Sequence, residues 1–212
     1  MLMHSPLGRM ARQLLLHAAL VLLVGAAPGL ASELRVERTL LPDASPSSFA
    51  IGFPNGTSLC YDVTRGGLSY IWRGGFVDLS SVRPEAGKVI SAVKLLGDVV
   101  YREHEYFPLR RGDSERAAPA RFKGYRLHDG AIEFVYEVDQ CRVREEIRPL
   151  EDGIVRRFQI EGAAADETWW YIPGGTQGAN LHAPVGHREA GGFRFKANEG
   201  LVLEVRFEGA ES

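Results

Sequence analysis

The chain has 212 residues, with 25 basic against 27 acidic side chains and a formal charge of −2. A balance this weak and this evenly mixed excludes the basic footprint of a nucleic-acid binder or of a protein held on an acidic membrane surface. The only cysteines, Cys60 and Cys141, are too far apart for a C-x-x-C-H haem attachment site, so no cofactor is assigned to the chain itself.

Residues 1–31 read as an export signal. Arg9 and Arg12 form a positive start, Leu14 to Ala27 an apolar core, and "GLA" (Gly29 to Ala31) offers small residues for cleavage. His17 and Pro28 interrupt the apolar run, which falls short of the roughly 20 residues of a spanning helix. No membrane contact is therefore expected after cleavage. Without Arg9 and Arg12, 23 basic side chains face 27 acidic ones, a formal charge of −4, and residues 32–212 fit one domain with a sizeable core.

Period two dominates the mature chain. In "SLCYDV", Cys60 shares a strand face with Ser58 and Asp62, whereas in "CRVREEI" Cys141 lies with Val143 and Ile147 on an apolar face. Export would favour a disulfide between the two cysteines and the facing pattern disfavours it, so the pairing stays open. "LSYIWRGGFVDLS" (Leu68 to Ser80) sets Leu68, Tyr70 and Trp72 against Ser69, Ile71 and Arg73, with Gly74 and Gly75 making a tight bend or bulge. "PEAGKVISAVKLLG" (Pro84 to Gly97) carries Val89, Val93 and Leu96 at helical spacing and predicts the one short helix.

Pro108 to Ala120 and Pro173 to Gly192 read as loops. "AIEFVYEV" (Ala131 to Val138) and "GLVLEVRFE" (Gly200 to Glu208) alternate as half-buried strands. "GIVRRFQIEG" does so too, but Arg156 falls on its apolar face and suggests an end or edge position. Asn-Gly and Asp-Gly turns separate these runs at short intervals. The expectation is an all-β antiparallel sandwich of two sheets and about 11–13 strands, with at most one short helix.

Paired acids flanking a cleft are the simplest machinery for acid and base chemistry on a sugar, and Asp62, Asp78 and Glu103 sit among aromatic residues. Trp72, Trp169 and Trp170 offer sugar-stacking surfaces, and Arg73 lies beside the first of them. In "TWWYIP" alternation sends the two tryptophans to opposite sides of the strand. His182 and His187 fall in the glycine-rich loop and could converge in proton transfer or on a metal. In "YREHEYF", an extended chain would put Glu103 and Glu105 on one face and His104 on the other, so these three do not make a metal site, and none is assigned. "SAVK", "RGD" and "NGT" are short matches that lack the companion elements their chemistries need.

"FAIGFPNGTSLCYDVTRGGLSYIWRGGFVDLS" (Phe49 to Ser80) and "FKGYRLHDGAIEFVYEV" (Phe122 to Val138) resemble two motifs of a β-rich module. That module occurs in exported planctomycete, verrucomicrobial and bacteroidete proteins, beside c-type cytochrome and sugar-dehydrogenase-like (sorbosone dehydrogenase type) domains. The similarity spans about Ser48 to Gly175. It implies a periplasmic role near sugar oxidation and electron transfer, with haem on a separate partner, and assigns no catalytic residue. The family usually continues with "W.GRGG" after the first motif, where this chain has "SSVRPEAGKVISAVKLLGD". The expectation is a non-catalytic exported module that binds a glycan or a periplasmic cytochrome or dehydrogenase partner. The alternatives are a carbohydrate-active enzyme using paired carboxylates and a structural component of the cell envelope.

Overall fold

The computed structural model describes residues 33–80, 91–112, 117–174, 178–189 and 191–207. The expected export signal, residues 1–31, lies outside them. In chain order the strands are β1 (Arg35–Arg38), β2 (Ser48–Gly52), β3 (Thr57–Asp62), β4 (Gly67–Asp78), β5 (Lys94–Arg102), β6 (Leu109–Arg111), β7 (Arg121–His128) and β8 (Ala131–Val138). They continue with β9 (Cys141–Leu150), β10 (Gly153–Glu161), β11 (Thr168–Tyr171), β12 (Ala179–Val185), β13 (His187–Glu189), β14 (Gly192–Lys196) and β15 (Leu201–Phe207). The described residues thus form an all-β, sandwich-like fold.

Three antiparallel sheets form rather than two. β1 to β5 make a meander, β12-β15-β10-β9-β8-β7 a six-stranded sheet, and β13-β14-β11-β6 a small third sheet. The strand count exceeds expectation because both expected loops contain short strands. β6 lies in the first, while β12 and β13 lie in the second. All three are edge strands; β6 and β13 have only three residues each, and β12 alternates weakly, with small Ala179 and Ala183 beside Leu181 on its core face.

Inward residues of all three sheets share one core. Phe49, Ile51, Leu59, Tyr61 and Ile71 come from the meander, Ile132, Phe134, Val143, Ile154, Phe158 and Leu203 from the six-stranded sheet, and Trp169, Phe193 and Phe195 from the third. Tyr61 stacks on Phe134 across the sheets, with centroids 3.6 Å apart. Turns fall where the glycines placed them. Asp129 and Gly130 both take positive φ, as a two-residue hairpin loop between β7 and β8 requires.

The outer face of the meander carries a second core: Leu41, Ala50, Cys60, Tyr70, Trp72, Phe76 and Val93. Cys60 therefore lies on a covered face, although its neighbours Ser58 and Asp62 had marked that face as polar. β4 is one bulged strand and not a hairpin. Cys60 pairs with Tyr70 and Tyr61 with Leu68, so Ser69 is an extra residue; this sends Leu68 and Ile71 to the main core, and Tyr70 and Trp72 to the second. A second irregularity covers Gly74 to Val77, where β4 and β5 run very close. A Cβ on Gly97 would lie 2.1 Å from the Arg73 carbonyl oxygen.

That approach also explains the expected helix. Lys94 to Gly97, its last turn, opens β5 against β4, because Leu95 finds apolar partners on the second core while its backbone completes the ladder. Residues 84–90 of that prediction lie outside the described residues.

Candidate functional site

Two of the strands that carry the main core place a charge on their apolar face. Arg156 stands on β10 between Ile154 and Phe158, and Glu145 on β9 between Val143 and Ile147. β10 is an interior strand of the six-stranded sheet, not an end or edge, so Arg156 is sealed in the protein. Its Nε donates to Glu145 Oε1 at 2.7 Å and its NH1 to Glu103 Oε1 at 2.7 Å. NH2 lies 2.5 Å from Glu145 Oε1 but is poorly directed for a hydrogen bond.

Four tyrosines complete the cluster. Tyr61 and Tyr136 donate to Glu145 Oε2 at 2.9 and 3.3 Å, while Tyr101 donates to Glu103 Oε1 at 2.9 Å and Tyr171 to Glu103 Oε2 at 2.5 Å. The Tyr171 hydroxyl also accepts from Arg156 NH1. Glu103 is 2% exposed, and Glu145 and Arg156 are 0% exposed. Burial raises the Glu103 carboxyl above its ordinary range against the opposing pull of Arg156, Tyr171 and Tyr101. Burial alone would lower the Arg156 guanidinium, and the two carboxylates more than offset it, holding it well above its usual value. The members come from β3, β5, β8, β9, β10 and β11, together with the residue after β5, so the cluster ties all three sheets.

Glu103 is thus the expected acid that falls in a built site, and that site is closed to solvent. Its geometry also departs from an extended reading of "YREHEYF". β5 ends at Arg102 and the chain turns, with Glu103 N bonded to Ser69 O, and His104 N and Glu105 N both to Pro173 O. Glu103 enters the core, whereas Glu105 pairs with Arg110 at 2.6 Å near the surface.

Asp62 and Asp78 are elsewhere. Asp62 is buried and accepts from the backbone N–H and hydroxyl of both Ser45 and Thr64, at 2.7 to 2.9 Å. Burial would raise its carboxyl, and these four donors outweigh burial and lower it. Asp62 pairs with Gly67 at one end of β4 and Asp78 ends the other, so eleven steps of about 3.3 Å put them on the order of 35 Å apart along the strand. Adjacent Tyr61 faces Glu145, which places Asp62 on the opposite side of the meander from Glu103. Asp78 is held below its ordinary value by hydrogen bonds from Ser80. Asp78 therefore lies far outside the separation of about 5–10 Å that glycoside chemistry uses, and Asp62 and Glu103 face opposite sides of the meander and share no cleft.

Among the expected ligand-binding residues, Trp72 is fully buried and donates from Nε1 to the Gly75 and Phe76 carbonyls. Arg73 is half-buried, with its guanidinium 5.8 Å from the Phe207 ring. Trp169 is in the main core and Trp170 faces the other way, half-buried under Arg194, as the alternation required. His182 is exposed on β12, 3.6 Å from Glu204, and His187 is exposed on β13 in a different sheet, so they do not converge. Cys60 on β3 and Cys141 on β9 are buried free thiols in different cores, the second and the main one. Burial pushes the Cys60 thiol up to about 12.

The outer face of the six-stranded sheet carries what sequence reading missed. Glu133 is bracketed by Arg126 at 2.8 Å and Arg144 at 3.2 Å, and Arg144 reaches on to Glu161 at 3.3 Å. Together with Lys123, Gly124, Tyr125, Val135 and Arg142 these line an open groove of about 310 Å³. Alternating Arg and Glu on adjacent strands was the available signal. Among the described residues no group of three or more His, Cys, Asp or Glu could hold a metal ion, and no helix is long and apolar enough to cross a membrane.

Fold and site together define an all-β, sandwich-like domain with an ionic cluster sealed between three sheets. Comparison with family models, with curated proteins and with solved structures returns no match.

Proposed function

We propose that this chain is an exported, non-catalytic recognition module that binds a glycan in the groove over β7 to β10. The groove carries the reading. Lys123, Arg126, Arg142 and Arg144 stand there against Glu133 and Glu161, and each cation pairs with a carboxylate, so the groove offers fixed donors and acceptors with an excess of positive charge, which suits a polyhydroxylated ligand, the more so one carrying acidic groups. Against the carbohydrate-active enzyme stands the scatter of Asp62, Asp78 and Glu103. A role as a structural envelope component leaves the groove without a purpose.

The setting implied by the sequence resemblance, sugar oxidation with haem on a separate periplasmic partner, belongs to the same proposal. A protein partner is the second reading, favoured by Tyr125 and Leu127 on the edge strand β7, which are 44% and 48% exposed. Calorimetric titration of the full chain against neutral and acidic oligosaccharides, with Arg144→Ala as control, tests the first. Saturable heat that is lost in Arg144→Ala supports it. A silent panel, with a cytochrome or dehydrogenase retained from periplasm, replaces it with the second.

A further inference from the structure

The sealed cluster has two carboxylates for one guanidinium. If all three were ionised, the core would hold an uncompensated negative charge with no solvent to stabilise it, a state whose cost grows steeply as the surrounding dielectric falls. Among the described residues, the titratable and charged groups that face it from the packed strands are Tyr61 on β3, Tyr101 on β5, Tyr136 on β8, Glu145 on β9, Arg156 on β10 and Tyr171 on β11. Only Arg156 among them is a cation.

The two carboxylates are not equivalent. Glu145 takes the Nε bond and the close NH2 of Arg156 on Oε1 and two tyrosines on Oε2. Glu103 takes Arg156 and Tyr101 on Oε1 but only Tyr171 on Oε2. Glu103 Oε2 is therefore the oxygen with room for a hydrogen.

We propose that the folded protein keeps one proton on Glu103 Oε2 at neutral pH, making the cluster a pH-sensitive lock across the three sheets. The direction in which burial moves the Glu103 carboxyl agrees with this. The sign follows from linkage. The unfolded chain releases this proton near the ordinary glutamate value of about 4.3, whereas the folded chain keeps it. The stabilisation is complete below that value and is lost as pH rises toward the folded-state value, by about tenfold in the folding equilibrium constant per pH unit.

Glu103→Gln mimics the neutral acid, with its amide nitrogen in the place of Oε2. Equilibrium unfolding of the full chain and of Glu103→Gln between about pH 5 and pH 8 isolates the effect, since histidines and surface acids act equally on both. The ratio of wild-type to variant folding constants should fall about tenfold per pH unit over at least part of that window; a ratio independent of pH overturns the proposal. Infrared spectroscopy of the wild-type chain gives a readout that does not depend on the variant folding. A protonated-carboxyl carbonyl band should be present at neutral pH in the folded state and vanish on unfolding. Its absence from the folded state overturns the proposal equally.

Discussion

The two faces of the six-stranded sheet carry the same chemistry at opposite depths. Outward, Arg126 on β7 and Arg144 on β9 grip Glu133 on β8; inward, Arg156 on β10 grips Glu145 on β9 and reaches Glu103 beyond β5. The outer arginines reach water over a Glu133 that they cover, and at that water-facing side Coulomb gain, side-chain entropy and screening largely cancel. Removing a partner from the inner set instead leaves a charge that nothing can solvate. An arginine beside a glutamate therefore says little about stability until its depth is known.

Arg156→Met breaks the comparison hardest. It strands Glu103 and Glu145 and should cost about 3–5 kcal/mol by urea unfolding; a loss below about 1 kcal/mol would mean the cluster is hydrated. Tyr171→Phe comes next. It removes the hydroxyl that hydrogen-bonds Glu103 Oε2 and should cost about 1–3 kcal/mol, read as a drop in thermal midpoint that added salt does not change.

Asp62→Asn sharpens the contrast from the other core. Because its donors lower the Asp62 carboxyl, its stabilisation is present above the ordinary aspartate value of about 3.9 and is lost as pH falls through the lower folded value. The variant should cost about 1–2 kcal/mol at neutral pH, and acid titration should show the gap closing. Arg144→Ala is the smallest, about 0.2–1 kcal/mol, shrinking further in high salt, where the Debye length falls to about 3 Å. A loss as large as that of Tyr171→Phe would erase the distinction between the faces.

Alternation made much of this architecture legible, including the opposed tryptophans of β11 and the hairpins of the second half. It could not show what covers a strand. Cys60 sits on a face that reads as polar, yet that face is roofed by Leu41, Phe76 and Val93, residues distant in sequence or beyond a bulge. One inserted residue, Ser69, shifted the assignment of Leu68 relative to Tyr70 and Trp72, because period-two reading carries any bulge into the residues on its far side.

The ionic cluster was half visible. Arg156 stood out against the apolar face of β10, but an edge explains one exposed charge as simply as a buried partner does. Glu145 breaks the apolar face of β9 with the opposite sign, and matching the two strands was the clue that could have found the pair. Glu103 could not be matched this way, since it comes from a turn that follows no period.

Gly186 lies between β12, which pairs with β15 in the six-stranded sheet, and β13, which pairs with β14 in the small one. Residues 179–189 and 191–207 are therefore the two arms of one long hairpin, bent at its waist, with its two halves in different sheets. The consequence is kinetic. Contacts between segments so near in sequence close without a large loop penalty, so this hairpin can form early and hold both sheets in register. The distant partners, β1 to β5, then dock on a seam already zipped, and the long-range closure is made once instead of twice.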